Sequence, residues 1–172
     1  MFVLNQSSFI EPYRFITAIF LHGSLVHLIY NLFALILFGL ILEKLIGNGK
    51  FLLVFFSSGI IANLISVNFY SSSLGASGAI FGVIGALTVI RPMMNVWAFS
   101  LPMPLFVAAI LWVVGDVIQT FVPSNIGTIA HLSGIFVGII FGFFYREKLQ
   151  VKKNRVIIDE GYMRAWEDRF IR

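Results

Sequence analysis

The sequence contains no cysteine among its 172 residues, which excludes both a disulfide framework and a thiolate metal site. Charged side chains are also scarce, at 12% of the chain, whereas a soluble globular domain carries about 25%. The three histidines have none of the short spacings that are typical of zinc sites, such as H-E-x-x-H. The chain is therefore not expected to be a soluble domain, and we expect neither a metal nor another cofactor.

Apolar residues make up 59% of the chain, and they are grouped in runs of about 20, the length that spans a bilayer as a helix. These runs predict an all-α, polytopic membrane bundle with five transmembrane helices, at about 24–43, 51–69, 76–90, 101–121 and 127–145. Ser24 is the predicted N-cap of the first span. We expect residues 1–23 to be an outer loop segment, 24–145 the transmembrane domain, and 146–172 a charged cytoplasmic tail.

Basic residues are distributed unevenly between the two sides that five spans define. Numbering the span ends alternately puts eleven of the 12 Lys and Arg residues on one side and only Arg14 on the other. By the positive-inside rule, the C-terminal tail is cytoplasmic and residues 1–23 lie outside. We therefore expect a multi-pass protein of the plasma membrane that contacts the lipid bilayer and no nucleic acid. An outer N-terminus without a signal peptide also leads us to expect an earlier span upstream of Met1.

Polar side chains stand near the outer ends of three predicted spans that run in the same direction. His27 and Asn31 are four residues apart, on one face of the first span. Ser77 begins the third span, and His131 lies near the start of the fifth. Histidine and asparagine inside a membrane are costly unless they pair or face a cavity. The similar depth of these groups predicts that they share one site.

Small residues recur at every fourth position in the third and fifth spans. The two stripes are Gly78, Gly82 and Ala86, and Gly134, Gly138 and Gly142. Such stripes let two helix backbones approach closely, and on their own they are more often packing motifs than sites of chemistry. Here one helix carries a hydroxyl and the other an imidazole at matching depth. The pattern therefore predicts a hydrogen bond between Ser77 Oγ and His131 Nε2.

A serine hydroxyl is a weak nucleophile that needs a base, and His131 is the predicted base for Ser77. The only acidic residue within a span is Asp116, for which we expect a structural or solvated role. A Ser-His dyad is therefore the simplest interpretation. Ser77 also begins a helix, whose free N–H groups point toward a developing oxyanion. His27 and Asn31 would add side-chain donors to the same site.

Taken in order, these residues resemble the rhomboid family of intramembrane serine proteases over about residues 13–145. The matching motifs are Tyr13-Arg14, His22, His27-Leu28 with Asn31, Gly75-Ala76-Ser77-Gly78, and Ala130-His131 with Gly134 and Gly138. Phe81 stands one turn after Ser77, where the family often has tyrosine against the histidine, and we expect its ring still to stack on His131. By resemblance, Arg14 ties down the outer loop. His22 is expected to be a structural donor there.

The resemblance implies a helical bundle with a water-filled cavity that opens to the outer side. It implies Ser77 as nucleophile, His131 as general base, and an oxyanion hole of His27, Asn31 and the Ser77 backbone N–H. Supporting roles fall to Gly75, Gly78, Phe81, Gly134 and Gly138. It also implies that the substrates are transmembrane proteins, which are cut near their outer ends. No cofactor is implied. The first span of the family's six-span core would lie upstream of Tyr13.

Three alternatives to an intramembrane serine endopeptidase can be considered for this sequence. The main alternative is a catalytically inactive rhomboid-like protein that binds client transmembrane helices, although such proteins lack the serine or histidine present here. A small transporter or channel subunit would have inverted repeats and broken helices, and the sequence has neither. An α/β-hydrolase is excluded because its nucleophile elbow needs glycine where Ala79 stands, and a strand before the serine. The oligomeric state stays open.

Overall fold

A computed structural model describes residues 3–122, 127–155 and 168–169, which form a helical bundle. Its helices are α1 (Arg14–Thr17), α2 (Leu25–Ile46), α3 (Asn48–Ser66), α4 (Ser77–Ile90), α5 (Leu105–Thr120) and α6 (Thr128–Arg155). Short 3-10 turns at Gln6–Phe9 and Ala18–Phe20 accompany α1, and a hairpin of β1 (Asn95–Ala98) and β2 (Leu101–Pro104) precedes α5. The predicted helical membrane bundle is confirmed, and the hairpin is its one β-sheet among the described residues.

The helices fall into two length classes. Three are long and apolar enough to cross a membrane: α2, α3 and the Thr128–Glu147 part of α6. The apolar helices α4 and α5 are shorter, with 14 and 16 residues. At 1.5 Å per residue, α4 extends about 21 Å, less than the ~30 Å of the hydrocarbon core. Most residues of α4 are buried, so this short helix is surrounded mainly by the neighbouring helices.

Two glycine-striped helices, α4 and α6, pack with their backbones in contact. A Cβ added to Gly134 would lie 3.3 Å from the Cα of Gly78, and one added to Gly138 would lie 2.8 Å from the Cα of Gly82. Such approaches leave no room for any side chain, so the predicted close pairing is confirmed. Helix α3 also packs closely against α4, since a Cβ on Gly78 would meet the Cβ of Ala62 at 2.8 Å.

The segment before α2 is folded onto the bundle. Leu4 and Ser73 pair in an isolated antiparallel bridge, with N···O distances of 3.1 and 3.0 Å. The buried Arg14 guanidinium donates to Glu11 and, at 3.3 Å, to the carbonyl oxygen of Val3. The expectation that Arg14 ties down this segment is confirmed, but the plain loop that the sequence predicted contains short helical turns.

The N-cap predicted for α2 is confirmed, because Ser24 Oγ accepts the His27 backbone N–H at 3.1 Å. The helix widens to a π turn over Leu35–Gly39 and ends at Gly47, whose φ of +88° lies in the region that glycine favours. It therefore runs three residues past the predicted end at 43. The next helix, α3, covers Asn48–Ser66 in place of the predicted 51–69.

Residues 101–104 were predicted to begin the fourth span, and this prediction is wrong. They pair with β1 across a two-residue loop, Phe99 and Ser100, in which both φ angles are positive, at 53° and 63°. This is the geometry of a type I′ hairpin turn. Pro102 lacks the N–H that a continuing helix needs, and α5 begins only at Leu105.

The last helix, α6, begins at Thr128 and continues without a break to Arg155. Its membrane-length apolar part, Thr128–Glu147, agrees closely with the predicted span at 127–145. Lysine, arginine, glutamate and glutamine are good helix formers. A charged run therefore ends the apolar span without ending the helix. Residues 123–126, between the predicted fourth and fifth spans, lie outside the described residues, as do tail positions 156–167 and 170–172.

Candidate active site

The N-terminal ends of α2, α4 and α6 meet at one end of the bundle. Ser77 is the first residue of α4, His131 lies in the first turn of α6, and His27 lies in the first turn of α2. These three helices each carry a polar group near the end at which they begin. The structure thus brings together the spans that the sequence analysis grouped by depth.

Ser77 and His131 are within hydrogen-bond distance across the glycine contact. His131 Nε2 lies 2.9 Å from Ser77 Oγ. Ser77 is half-buried, and the His131 side chain is 13% exposed. Both residues adjoin the glycine stripes: Ser77 directly precedes Gly78, and His131 precedes Gly134 by one turn. The predicted contact between the hydroxyl and the imidazole is confirmed.

Asp116 of α5 lies on the other side of the imidazole. His131 Nδ1 is 3.3 Å from Asp116 Oδ1 and 3.2 Å from Asp116 Oδ2. The Asp116 side chain is 13% exposed. Asp116, for which we expected a structural or solvated role, is thus mainly enclosed and in contact with the imidazole, a contact that the sequence did not predict. Residues 77, 131 and 116 form a hydroxyl–imidazole–carboxylate line.

Phe81 stacks on the His131 ring. The ring centroids are 4.3 Å apart and the planes differ by 4°. Phe81 lies four residues after Ser77, on the same face of α4. Its edge also meets Trp112 of α5, at a centroid distance of 6.5 Å and an interplanar angle of 72°. The stacking predicted in the absence of a tyrosine hydroxyl is confirmed, and it sets the plane of the imidazole.

His27 lies against the turn that leads into Ser77. A Cβ on Gly75 would come within 2.8 Å of His27 Cε1 and 3.1 Å of His27 Nε2. Gly75 has φ +124°, a backbone conformation that side chains rarely adopt. Asn31 is buried, and its Nδ2 donates to the His27 carbonyl oxygen at 2.9 Å. One of the two amide hydrogens of Asn31 is therefore used within α2.

His22 packs edge-on against His27, with centroids 5.0 Å apart and planes at 72°. Its buried Nε2 has no hydrogen-bond partner within the described part of the chain. The structural role expected for His22 is therefore ring packing behind His27, and not donation from Nε2 to the outer segment.

The arrangement suits acyl transfer. The hydroxyl of Ser77 faces a ring nitrogen that can accept its proton. The same residue begins α4, where the first N–H groups of a helix have no intrahelical acceptor and point outward. Among residues 3–122, 127–155 and 168–169, no group of three or more His, Asp or Glu side chains is placed to hold a metal ion.

Comparisons with known proteins show the family of the chain. The Rhomboid domain matches residues 10–148. The chain is 30% identical over 135 residues to Rhomboid protease GlpG of Haemophilus influenzae, covering 77% of this chain and 69% of that protein. It is 34% identical over 144 residues to Rhomboid protease GluP of Bacillus subtilis, covering 83% of this chain but 27% of the relative. With RHOMBOID-like protein 6, mitochondrial, of Arabidopsis thaliana the identity is 30% over 135 residues, covering 77% and 43%. This chain belongs to the rhomboid family of integral membrane proteins, whose named members include proteases.

Proposed function

We propose that this chain is an intramembrane serine endopeptidase that cleaves transmembrane protein substrates. The observation that carries the proposal is the 2.9 Å contact between Ser77 Oγ and His131 Nε2, formed between the first turns of two apolar helices. Named proteases among the relatives support the same reaction class.

Acylation would use this contact. With the Ser77 hydroxyl proton directed at His131 Nε2, the proton moves to the imidazole as Oγ forms a bond to the scissile carbonyl carbon. The carbonyl π electrons move to oxygen, and their return breaks the C–N bond. His131 then gives its proton to the leaving amine. Water repeats the sequence on the acyl-enzyme and regenerates the Ser77 hydroxyl.

The charge that develops on the carbonyl oxygen needs donors that are already in place. We assign this role to the Ser77 backbone N–H, to His27, and to the second amide hydrogen of Asn31. The Ser77 N–H is at the positive end of α4. His27 is held against Gly75, two residues before the nucleophile. The oxyanion would therefore lie between α2 and the start of α4.

The setting of the site suggests substrates that are themselves membrane segments. The helices are apolar on their outer faces, with exposed Val26, Ile29 and Phe33 on α2. A peptide bond in a regular helix is shielded by its own hydrogen bonds, so a substrate would have to bend or unwind at small residues before Ser77 reached it. We assign the chain to the plasma membrane, and the bias of basic residues supports an orientation with the C-terminus in the cytoplasm and the site on the outer side.

The decisive experiment compares Ser77→Ala with wild type in the same liposomes, with a fluorophosphonate probe and a reconstituted transmembrane substrate. We expect wild type to be labelled and to cleave, and both signals to be lost in Ser77→Ala and in His131→Ala. Ser133→Ala is the matched control, because Ser133 lies on α6 and donates to the Ile129 carbonyl oxygen at 2.7 Å. It should label like wild type.

The alternative function, a catalytically inactive protein that binds client helices, gives a different result. A folded wild-type chain that the probe never labels, but that still retains transmembrane segments in pull-down assays, would favour the inactive protein. Cleavage that persists in Ser77→Ala would contradict the assignment of the nucleophile.

A further inference from the structure

We propose that Asp116 is a positioning residue for His131, so that the site works as a triad of serine, histidine and aspartate. The carboxylate would accept the Nδ1–H of the imidazole and keep Nε2 free to take the Ser77 proton. This inference rests on the proposed peptidase function of the Ser77–His131 pair. It adds a residue on α5 to a site otherwise built from α2, α4 and α6.

Both carboxylate oxygens of Asp116 face the same ring nitrogen. The Nδ1 distances are 3.3 and 3.2 Å, while Nε2 of the same ring is 2.9 Å from Ser77 Oγ. Each member of the Asp116–His131 pair is 13% exposed at the side chain. The carboxylate therefore lies mainly against the imidazole and only slightly against solvent.

The tautomer follows from which atoms can donate. An ionised carboxylate only accepts hydrogen bonds, so the nitrogen that faces it must carry the ring proton. In a neutral imidazole the other nitrogen is then an acceptor. With Asp116 at Nδ1, the lone pair is on Nε2, which faces Ser77 Oγ. Without an acceptor at Nδ1, the single proton of the neutral ring can lie on Nε2 instead. A ring in that tautomer cannot accept the Ser77 hydroxyl proton at Nε2.

The same contact stabilises the charged intermediate state of the ring. When the Ser77 proton moves to Nε2, the imidazole becomes a cation beside the Asp116 carboxylate. The Nδ1 proton stays on the ring throughout, and Asp116 neither gains nor loses a proton. The proton on Nε2 then goes to the leaving amine, which closes the proton balance without a further acid or base.

The position of Asp116 argues for a specific role. An acidic residue within a membrane helix is expensive unless it has a partner or faces water. The partner of this one is the proposed catalytic base. The ring is thereby held on three sides, by the stacked Phe81 face, by Ser77 at Nε2, and by Asp116 at Nδ1.

The competing explanation is that the contact between Asp116 and His131 only holds α5 against α6. The chain offers a matched control for this alternative. Thr120 Oγ1 and Thr128 Oγ1 are 3.1 Å apart and link the same two helices without contacting His131. Thr128 also lies 3.2 Å from the Tyr70 hydroxyl. Thr120→Val therefore removes one link between these helices and still leaves Thr128 a hydrogen-bond partner. It also removes the bond that Thr120 Oγ1 donates to the Asp116 backbone carbonyl oxygen at 2.8 Å, but it leaves the Asp116 carboxylate unchanged.

The kinetic test measures fluorophosphonate labelling of the full chain in liposomes as a function of probe concentration. For Asp116→Asn we expect the rate at saturating probe to fall by on the order of 10²–10⁴, the range expected when an aspartate stops orienting a catalytic histidine. The half-saturating probe concentration should stay near the wild-type value. Asp116→Glu, which keeps an acceptor-only group, should recover part of the rate. Thr120→Val should label at close to the wild-type rate.

A spectroscopic test reads the tautomer directly. The chain has three histidines, so ¹⁵N-imidazole labelling gives few signals, and His131→Ala identifies the one of interest. We expect the neutral ring of wild type to be protonated at Nδ1, and Asp116→Asn to gain the Nε2–H form, because an amide also donates. A wild-type ring protonated at Nε2 would overturn the proposal without any variant.

The kinetic outcomes separate this proposal from the proposed function. If Asp116→Asn labels as fast as wild type, or slows only as much as Thr120→Val for the same loss of Tm, the positioning role is wrong while the peptidase assignment stands. If wild type itself is not labelled and cleaves nothing, the proposed function fails first. A selective loss of the saturating rate in Asp116→Asn, with the tautomer change, supports the triad.

Discussion

The ring of Phe81 lies flat on the ring of His131, with centroids 4.3 Å apart and planes 4° from parallel. Phe81 and Ser77 are one helical turn apart on α4. The helix that carries the hydroxyl therefore also carries the surface that orients the imidazole. A change in the rotation of α4 would move both together, which keeps the ring plane aligned with Oγ.

Replacing Phe81 by alanine should slow the reaction at Ser77 without removing it. Stacked aromatic pairs contribute about 0.5–1.5 kcal/mol beyond area burial, so we expect roughly a 10-fold lower saturating labelling rate for Phe81→Ala. Phe81→Tyr keeps the ring and is the matched control, with a rate near that of wild type. Equal rates for the alanine variant and wild type would show that the ring is held by its hydrogen bonds alone.

Alanine at Gly134 should separate the two glycine-striped helices. Its Cβ would meet the backbone of Gly78, including the Cα at 3.3 Å, and a backbone cannot move aside as a side chain can. Overpacking costs about 1–3 kcal/mol or more, so we expect a Tm lower by about 5 °C. Labelling should also weaken, because Ser77 and His131 lie on the two helices that are pushed apart.

The control for this change is Gly115→Ala on α5. A Cβ at Gly115 meets nothing within 4 Å, and alanine is favoured over glycine in a helix by about 1 kcal/mol. Thermal unfolding in detergent should therefore show an unchanged or slightly raised Tm for Gly115→Ala. If both alanine variants have the wild-type Tm, the backbone contact between α4 and α6 is looser than described above.

Alanine at Gly75 tests the proposed oxyanion hole from the side of His27. The residue has φ +124°, and an added Cβ would come within 2.8 Å of His27 Cε1. The imidazole would have to move away from the start of α4. Loss of one oxyanion donor costs about 10²–10³ in rate, so we expect a fall of about 10² in the saturating labelling rate.

Gly23→Ala provides the comparison in the same outer region. Its Cβ would make an ordinary contact of 3.8 Å with Leu74, and labelling should proceed as in wild type. A Gly75→Ala variant that folds and labels at the wild-type rate would remove His27 from the oxyanion hole.

Stability at acidic pH should depend on Glu11 in the outer segment. The hydrogen bond that Tyr13 donates to Glu11, at 2.7 Å, lowers the pKa of Glu11, and the nearby Arg14 charge lowers it further. A lowered pKa in the folded chain means that the ionised form stabilises folding. This contribution is fully present above the pKa of the unfolded chain and is lost as pH falls through the folded pKa.

We therefore expect Glu11→Gln to lower Tm at about pH 7, and the gap to wild type to close toward about pH 3, across the usual glutamate value of about 4.3. Tyr13→Phe removes the hydrogen bond and should reproduce part of the effect. A gap that is constant with pH would mean that packing, and not the charge of Glu11, links this segment to the bundle.

The contact between Ser77 and His131 could be predicted because two independent patterns agreed. Counting from the span ends placed both residues at one depth, and the glycine stripes indicated that their helices meet. Phe81 followed from its spacing of one turn from Ser77. Helical periodicity and depth can both be read from a local stretch of sequence, so they suffice to predict this part of the site.

The contact between Asp116 and His131 was not predicted. Depth follows from distance along a span, whereas the direction in which a side chain faces depends on how the whole helix is rotated in the bundle. The sequence of α5 contains no stripe of small residues that would indicate which side packs on α6. The third member of the line could therefore be recognised only from the assembled helices.

The hairpin before α5 was missed for a different reason. Type I′ turns are usually signalled by Asn-Gly or Gly-Gly, since both central residues need positive φ. Here the positions are filled by Phe99 and Ser100, which give no such signal. The continuation of α6 beyond its apolar span was likewise not predicted, because hydropathy reports where the apolar run stops and not where hydrogen bonding along the helix stops.

The close approach of α4 and α6 has a consequence for how the protein responds to its lipid surroundings. The joint is made by main-chain atoms of glycine, so no rotamer change can loosen it. A bilayer of different thickness that tilts these helices would carry Ser77 and His131 as one rigid body. Under the proposed function, lipid composition would then alter how often substrates enter, while the intrinsic rate of bond cleavage stays the same.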